Sequence, residues 1–417
     1  MKKFLKILGS IIAILILVVA VYYFANNESL PKGVEGKEAD MLAMKMLSAM
    51  NNDSFKTTEI LEWSFRGSHF YKWKKQEGKV EVTWENYKVI LDLNDHSKSI
   101  GDTSELIQTA LDYFNNDSFW LVAPYKVFDD GTKRSIVKHE EKDALMVTYT
   151  SGGSTPGDSY LWILDSNFVP TSYKMWTQII PIGGVSATWD NLSVMDSGVK
   201  LPSKHTLSIF GMELELGNVK AYNPNADALA QKILTAVKHE NYKKTRYLEW
   251  SFGGRRSYKW DKKEHIVEVL WKDVKVILHP NNLEKSSAFL KGVETKNKQG
   301  LVKRAWDVFN NDSFWLVAPH KLFEDGIIRS IVKENGKDAL NVKYTTGGST
   351  PGDSYTWILD STYVPKSYKM YVPSMKMVGT PATWEDWTTT ESGTLLPKNH
   401  TFSSGGKLSM GDVKGYN

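Results

Sequence analysis

The chain of 417 residues contains no cysteine. This absence excludes a disulfide framework, a zinc site built on thiolates and a cysteine nucleophile. It also excludes lipid attachment at a lipobox cysteine, so any membrane attachment has to come from the polypeptide itself. An excess of one charge is missing too, because the net charge is only +4 and no basic stripe or recognition motif accompanies it. We therefore expect no nucleic-acid partner.

Motifs for metal and phosphate binding are also missing from the sequence. It has no H-x-H, no H-E-x-x-H and no acidic calcium loop, so we expect neither a metal nor another cofactor. The glycine-rich segment 152–157 lacks the Gly-Lys-Ser/Thr ending of a phosphate-binding loop. We interpret it as a loop between two strands.

The N-terminus is the one long apolar run of the chain. Three lysines lie among the first six residues, and the nineteen residues 7–25 then carry no charge. At about 1.5 Å per residue, a helix of that length nearly crosses a hydrocarbon core of roughly 30 Å. The pattern predicts a transmembrane helix within residues 1–25 that attaches the protein to a membrane, followed by a linker over residues 26–37.

A cleaved signal peptide is the alternative interpretation of this segment, with a cleavage site at residues 18–20. Both interpretations place the rest of the chain outside the cytoplasm, because the lysines stay inside. The uncleaved protein would be a single-pass protein of the inner (cytoplasmic) membrane with its domains on the periplasmic side. The cleaved protein would be periplasmic or secreted.

The remainder of the chain is an internal repeat. The sequence LEWSF begins at Leu61 and again at Leu248, and FNNDSFWLVAP begins at Phe114 and again at Phe309. The spacing between the copies grows by eight residues between these motifs, which places an insertion in the polar segment 281–299 of the second copy. We predict that this insertion is a surface loop. The repeat predicts two domains, which cover residues 38–223 and 224–417.

Each copy is predicted to be mainly β with inserted helices (α+β). An amphipathic helix opens the copy, and large apolar residues then alternate with polar ones over residues 61–91, which is typical of antiparallel strands. A helix over residues 106–114 follows. The sequence Asn-Asn-Asp-Ser at 115–118 is typical of the N-cap of another short helix. About six further strands are predicted between residues 144 and 222.

This order of elements resembles the family of periplasmic lipoprotein carriers, the LolA/LolB-like fold. The resemblance is carried by the strand pairs at 63–73 and 80–91, the helical segment 114–124 and the strand–turn–strand segment 158–170. It implies two tandem antiparallel half-barrels. In each of them a curved sheet would enclose a greasy cavity, and the inserted helices would plug the mouth of that cavity.

The aromatic residues of the predicted sheets and plug helices are the candidate site. They predict that each copy binds a lipid, an acyl chain or another hydrophobic small molecule, since burial stabilises an acyl chain by about 0.8 kcal/mol per methylene group. The alternative is that these rings only fill a core. The predicted ligand-binding residues are Trp63, Phe65, Tyr71, Trp73, Trp84, Phe119, Trp120, Trp162, Trp250, Phe252, Tyr258, Trp260, Trp271, Phe314, Trp315 and Trp357.

Two other functions compete with ligand binding. An interaction or sensor module of the cell envelope would bind a protein or polymer partner through residues on the polar face, such as Glu81 and Lys88. A hydrolase would need a Ser–His–Asp triad, which could be assembled on paper from the residues that match between the copies, but the sequence lacks a G-x-S-x-G elbow. In the first copy these residues are Ser118, Ser159, His205, Asp117, Asp158 and Asp165. We predict that the chain is not an enzyme. We interpret the matching histidines His205 and His400 as strand-edge or capping residues. We interpret the matching aspartates Asp165 and Asp360 as turn residues.

Overall fold

The computed structural model describes residues 17, 21, 23–151, 156–346 and 351–417. The chain separates into two compact units, of which the first ends at Tyr222 and the second is Asn223–Asn417. The predicted membrane segment lies largely outside the described residues. Among the residues that are described, no helix is long and apolar enough to cross a membrane.

From Val34 onward, the described residues of the first unit form three α-helices and fourteen strands. Its helices are α1 (Lys37–Ala49), α2 (Asn52–Thr57) and α3 (Ser104–Val122). Its strands are β1 (Val34–Glu35), β2 (Ile60–Phe65), β3 (His69–Lys74), β4 (Lys79–Trp84), β5 (Tyr87–Asp92), β6 (Thr132–His139), β7 (Lys142–Tyr149), β8 (Ser159–Leu164), β9 (Pro170–Trp176), β10 (Val185–Thr188), β11 (Ser193–Val194), β12 (Lys200–Leu201), β13 (Lys204–Thr206) and β14 (Glu213–Tyr222).

Two six-stranded antiparallel sheets form the body of the first unit. One has the order β1-β6-β7-β8-β9-β10, and the other has the order β13-β14-β2-β3-β4-β5. Isolated bridges from Ala187 to Leu207 and from Asp190 to Lys204 connect β10 to the β13 side of the second sheet. One cluster of buried apolar side chains contains residues of both sheets together with residues of α1 and α3.

Helices and strands follow one another in a similar order in the described part of the second unit. Its helices are α4 (Pro224–Ala236), α5 (His239–Lys244) and α6 (Gln299–Val317). Its strands are β15 (Tyr247–Phe252), β16 (Arg256–Asp261), β17 (Ile266–Trp271), β18 (Val274–Leu278), β19 (Ser287–Leu290), β20 (Val293–Glu294), β21 (Ile327–Glu334), β22 (Lys337–Tyr344), β23 (Ser354–Leu359), β24 (Pro365–Val372), β25 (Met377–Thr383), β26 (Thr388–Thr389), β27 (Leu395–Leu396), β28 (Asn399–Thr401), β29 (Lys407–Ser409) and β30 (Lys414–Tyr416).

The second unit also contains two large antiparallel sheets. They have the orders β20-β19-β18-β17-β16-β15-β30 and β21-β22-β23-β24-β25. Bridges from Ala382 to Phe402 and from Glu385 to Asn399 connect β25 to β28. The prediction of a mainly β fold with inserted helices is confirmed.

The predicted helix break at residues 115–118 is wrong, because α3 runs without interruption from Ser104 to Val122. Asp117 does not cap a helix. Its side chain is buried, and its carboxylate accepts a hydrogen bond from the Tyr71 hydroxyl on the neighbouring sheet. The side chain of Asp117 therefore bonds to a residue of the sheet and not to the backbone N–H groups of its own helix, as a capping residue would.

The insertion of the second unit is not a surface loop, as the sequence predicted, but a β-hairpin. Strand β19 pairs with β18 and then with β20. The connection at Lys291 and Gly292 has positive φ at both residues, 49° and 81°, as a two-residue type I′ hairpin requires. The alternation of residue types in this short hairpin is too brief to stand out among its polar residues.

Residues 26–37, which were predicted to be a linker, are in contact with the first unit. Val34 and Glu35 pair with Ile136 and Ser135 of β6. The backbone N–H of Glu28 donates to the carbonyl oxygen of Gly183 at 2.9 Å. The polypeptide therefore enters the first unit along the edge of its sheet.

Candidate functional site

The predicted ligand-binding residues lie in the interiors of the two units. The rings that are buried are Trp63, Phe65, Tyr71, Trp73, Trp84 and Trp162 in the first unit and Trp250, Tyr258, Trp271 and Trp357 in the second. The rings that are partly buried are Phe119, Trp120, Phe252, Trp260, Phe314 and Trp315. These rings pack against one another and against the long helices. Their role in binding a ligand stays a prediction.

One group of rings connects α3 to strands β7–β10 of the first unit, and we name it the ring cluster. It contains Phe119, Trp120, Tyr149, Tyr160, Trp162, Tyr173 and Trp189. Phe119 lies 4.4 Å from Tyr160, and Trp162 lies 5.2 Å from Trp189, between ring centroids. Trp120 contacts Tyr173 at 6.1 Å. The second unit has the same cluster at matching positions, which are Phe314, Trp315, Tyr344, Tyr355, Trp357, Tyr368 and Trp384.

Several polar atoms of these rings are buried without a hydrogen-bond partner among the described residues. They occur at matching positions of the two units, as Trp162 and Trp357, Trp189 and Trp384, Tyr149 and Tyr344, and Tyr173 and Tyr368, with Trp63 and Trp250 as a further pair. Burial raises the pKa of Tyr173 and Tyr368 well above the usual value for tyrosine, so their hydroxyls stay protonated. Most buried indole N–H and tyrosine O–H groups have a partner, so this repeated set calls for an explanation.

The sequence prediction missed four members of this cluster in each unit: Tyr149, Tyr160, Tyr173 and Trp189, and their counterparts. Each recurs as an aromatic residue in the second copy. This recurrence of aromatic residues is the signal in the sequence that could have identified them. The strands that carry these residues could be predicted, but which of their faces meets the plug helix could not.

A buried carboxylate joins the long helix to the first strands in each unit. In the first unit Asp117 accepts hydrogen bonds from the Tyr71 hydroxyl at 2.5 Å and pairs with His69 Nδ1 at 2.7 Å. In the second unit Asp312 takes the place of Asp117, and the Tyr258 hydroxyl donates to it at 2.5 Å. Arg256 stands at the position that matches His69, and its Nε lies 2.6 Å from the Asp312 carboxylate. Burial and the neighbouring aspartate raise the pKa of both tyrosines.

His205 lies on β13, the edge strand of its sheet, in agreement with the interpretation of this residue as a strand-edge or capping residue, but the side chains of His205 and His400 are completely buried. His205 Nε2 lies 2.7 Å from the Trp120 carbonyl oxygen at the end of α3, and its Nδ1 lies 2.8 Å from the Thr188 carbonyl oxygen. His400 Nδ1 donates to the Thr383 carbonyl oxygen at 2.8 Å. Burial lowers the pKa of His205 and lowers that of His400 to about 4. These histidines link the last strands to the ring cluster and face carbonyl groups.

The interpretation of Asp165 and Asp360 as turn residues is confirmed. Asp165 Oδ1 accepts hydrogen bonds from the backbone N–H groups of Asn167 and Val169. Asp360 Oδ1 accepts the matching bonds from Thr362 and Val364. The glycine-rich segment predicted to be a loop lies largely outside the described residues.

The second unit has a cleft of about 620 Å³ that the sequence did not indicate. It lies between α5, the end of β16, helix α6 and the segment after that helix. Its polar and charged lining includes His239, Lys243, Lys262, Asn310, His320 and Lys321, and its apolar lining includes Trp260 and Phe309. His320 stacks on Tyr242 with a centroid distance of 4.2 Å and an interplanar angle of 7°.

The electrostatics of the cleft are set by burial. It lowers the pKa of Lys262 to about 8, so this amine still carries a charge at neutral pH. Burial also lowers the pKa of His320 to about 3, so that imidazole is neutral. Among the described residues, His320 Nδ1, His239 Nδ1 and Asn310 Nδ2 are buried and have no hydrogen-bond partner.

No family model and no curated protein matches this chain. Among solved structures, it is similar to a DUF1329 family protein from Desulfovibrio piger, with 11% identity and a TM-score of 0.27 over 46% of this chain and 92% of that one. It is also similar to a putative outer membrane lipoprotein-sorting protein domain from Vibrio parahaemolyticus, with 10% identity and a TM-score of 0.24 over 45% of this chain and 93% of that one. Both are too distant to decide a function.

Proposed function

We propose that this protein is a membrane-tethered binding protein of the cell envelope, and that each unit holds a hydrophobic ligand bearing hydrogen-bond acceptors. The proposal depends on the ring cluster and on its unpartnered donors at matching positions in both units. A lipid with ester or amide oxygens is a ligand of this class. The proposal assigns no catalytic step to the chain.

The donors support a ligand with acceptors because each buried donor without a partner costs about 1–3 kcal/mol. A core that only had to be filled would be better served by phenylalanine or leucine, which have no polar atom. Tyr173 is completely buried, yet its hydroxyl has no partner among the described residues. An ester oxygen that reached this hydroxyl would recover that free energy while its acyl chain packed on the rings.

The end of the long helix is the proposed gate to the ring cluster. Phe119 and Trp120 are only partly buried, so they lie on the side of the ring cluster that solvent reaches. The backbone of Trp120 lies against His205, and the helix ends at Val122, two residues before Pro124. Displacement of this last helical turn would open the rings of β7–β10 to a ligand.

We further propose that residues 1–25 form the tether and that both units lie on the periplasmic side. The described contacts of Asn27 and Glu28 support a short connection, since both residues bond to Gly183. In the same loop, Ile179 is 72% exposed. A chain that leaves a membrane at residue 25 would keep this apolar loop near the lipid surface.

Extraction of residues 26–417, purified from a bacterial periplasm, tests the ligand proposal. We expect organic solvent to release a lipid in stoichiometric amount, which mass spectrometry identifies. Trp120→Glu and Trp315→Glu should each remove the ligand of one unit, because a charge at the gate opposes an acyl chain. Phe210→Glu is the matched control, because Phe210 is 85% exposed and lies outside the ring cluster.

The number of lipids per chain and their loss in the variants decide the outcome. Two lipids per chain, each lost with one gate variant that keeps its melting temperature, would support independent binding by both units. A protein without lipid that also fails to take up a fluorescent fatty acid would overturn the proposal. Equal loss in Phe210→Glu would show that the effect is not specific to the gate.

A further inference from the structure

We infer that the cleft of the second unit is a binding site for a small organic anion that carries hydroxyl groups, such as a polyol phosphate. The site is distinct from the ring cluster, so this inference stands independently of the proposed function. It depends on three kinds of group that line the same cleft: a hydrogen-bond acceptor, a donor and a cation without a carboxylate partner.

His320 supplies the acceptor. Its Nε2 donates to the Leu395 carbonyl oxygen at 3.1 Å, and a carbonyl oxygen can only accept. The proton of the neutral ring is therefore on Nε2, and Nδ1 presents a lone pair. Because His320 is 3% exposed and its Nδ1 has no partner among the described residues, this atom needs a donor from a ligand. A hydroxyl group is such a donor.

Asn310 supplies the donor. Its Nδ2 is buried and has no hydrogen-bond acceptor within the described part of the chain. A hydroxyl both donates and accepts, so vicinal hydroxyls can serve an acceptor and a donor in the same cleft. A ligand with acceptors only, such as a sulfate ion, would leave His320 Nδ1 unsatisfied.

Lys262 supplies the positive charge. The other two lysines of the cleft are neutralised, since Lys321 pairs with Glu324 at 3.1 Å and Lys243 pairs with Glu240 at 2.7 Å. Lys262 donates to the Tyr242 carbonyl oxygen, and its amine lies 3.5 Å from the centroid of the Tyr242 ring. It forms no ion pair with any residue that the structure describes. An anion would compensate this partly desolvated charge.

The first unit provides the control for this inference. Lys75 matches Lys262, and its amine lies 4.6 Å from the centroid of the Phe55 ring. Tyr125 matches His320, but its hydroxyl lies 2.7 Å and 2.6 Å from the carbonyl oxygens of Met50 and Lys200. The position that offers a free acceptor in the second unit is therefore satisfied within the protein in the first.

Titration calorimetry on the full chain in phosphatidylcholine nanodiscs tests the site, with glycerol phosphate as the probe. We expect binding that is about tenfold tighter than that of either glycerol or inorganic sulfate alone, since glycerol lacks the charge and sulfate lacks a hydrogen-bond donor. Lys262→Gln and His320→Tyr should each weaken the binding of glycerol phosphate by about tenfold or more. Lys75→Gln should leave it unchanged.

Repeating the titration in phosphatidylglycerol nanodiscs identifies the source of the anion. Weaker apparent binding of glycerol phosphate there would mean that the lipid head group occupies the cleft, and unchanged binding would mean that the natural ligand is soluble. Both results support a site for hydroxylated anions. Absence of binding in phosphatidylcholine nanodiscs, or binding that survives Lys262→Gln in a protein with an unchanged melting temperature, would overturn the inference. Lys262→Gln decides the matter alone if His320→Tyr does not fold.

Discussion

The two units differ in how their buried apolar side chains are connected. In the first unit one main cluster contains residues of both sheets. In the second unit the corresponding residues form two clusters, and the residues that pack against both are the partly buried Trp315 and Phe402. The cleft borders both clusters, because it is lined by Leu234 of one and by Tyr242 and Phe309 of the other.

A stacked pair of rings shows how the same scaffold allows this difference. Phe55 and Tyr125 stack at 4.2 Å in the first unit, and Tyr242 and His320 stack at 4.2 Å in the second. The packing of the pair is retained while its hydrogen bonding changes. The two units thus keep the same stacked contact between rings and differ in the polar atoms of those rings.

The largest difference between the units is expected from removal of the buried carboxylate. Asp312→Ala leaves the partly buried Arg256 without its ion-pair partner, which should destabilise the second unit by about 3 kcal/mol, the lower end of the range for a broken buried pair. Asp117→Ala removes the acceptor of the Tyr71 hydroxyl and the partner of His69 Nδ1, so the first unit should lose only about 1–3 kcal/mol. Hydrogen–deuterium exchange with mass spectrometry measures the two effects separately, because peptides report on each unit.

The partner of the carboxylate supplies the control for this experiment. Adding Arg256→Leu to Asp312→Ala removes the unpaired charge and should recover part of the lost stability. Equal losses in the two aspartate variants would contradict the interpretation that the difference comes from the charge of Arg256. The Tyr258 hydroxyl loses its acceptor both in Asp312→Ala and in the double variant, so this loss contributes equally to the stability of the two proteins.

The carboxylate also shows what the sequence can and cannot predict. The strands at residues 61–91 and the mainly β class follow from local alternation of residue types, and these predictions are confirmed. The continuity of α3 does not follow from local sequence, because the Asn-Asn-Asp-Ser segment favours a cap. The role of Asp117 depends on Tyr71, which is 46 residues away in the chain. Tertiary contacts of this length override the local signal.

The candidate site is predictable to a similar degree. The rings of β2–β5 could be identified because they alternate with polar residues. The cleft could not, since it combines residues from α5, the end of β16 and α6 with the turn that follows α6, and only the last two of these segments are adjacent in sequence. The replacement of Tyr125 by His320 at matching positions was the only visible signal. Its meaning depends on which atoms surround each side chain.

Acidification should destabilise the two units to different extents, and this difference should be smaller than that between the two aspartate variants. Burial lowers the pKa of His320 to about 3 and that of His400 to about 4, whereas an unfolded histidine titrates near 6.5. The contribution of these two histidines to the free energy of unfolding is fully present above pH 6.5. It decreases as the pH falls from 6.5, because the unfolded chain takes up protons that the folded unit does not. Each histidine costs about 1.4 kcal/mol per pH unit until its folded pKa is reached.

Calorimetric unfolding at pH 7 and pH 5 measures this effect. The first unit has Tyr125 in place of His320 and has His205 as its counterpart of His400. The second unit should therefore lose more stability on acidification, and His320→Tyr should make the two losses similar. An acid sensitivity that is unchanged in His320→Tyr would show that other groups, such as the carboxylates, control the difference.

The smallest effect is expected at a feature that the units share. Burial lowers the pKa of both Lys75 and Lys262 to about 8. Labelling of amines at a series of pH values, followed by mass spectrometry, should therefore give both lysines a midpoint near pH 8, well below that of exposed lysines near 10.4. Their equal midpoints would show that the lysine above the stacked ring belongs to the common scaffold.

Glycerol phosphate should then make the two lysines unequal. An anion in the cleft stabilises the charged amine, so the midpoint of Lys262 should rise when the probe is added. The midpoint of Lys75 should not change, because the hydroxyl of the neighbouring Tyr125 already has acceptors within the first unit. A parallel rise at both lysines would mean that the probe acts through general charge rather than through the cleft. A rise at Lys262 alone would show that the polar replacements converted a structural lysine into a binding residue.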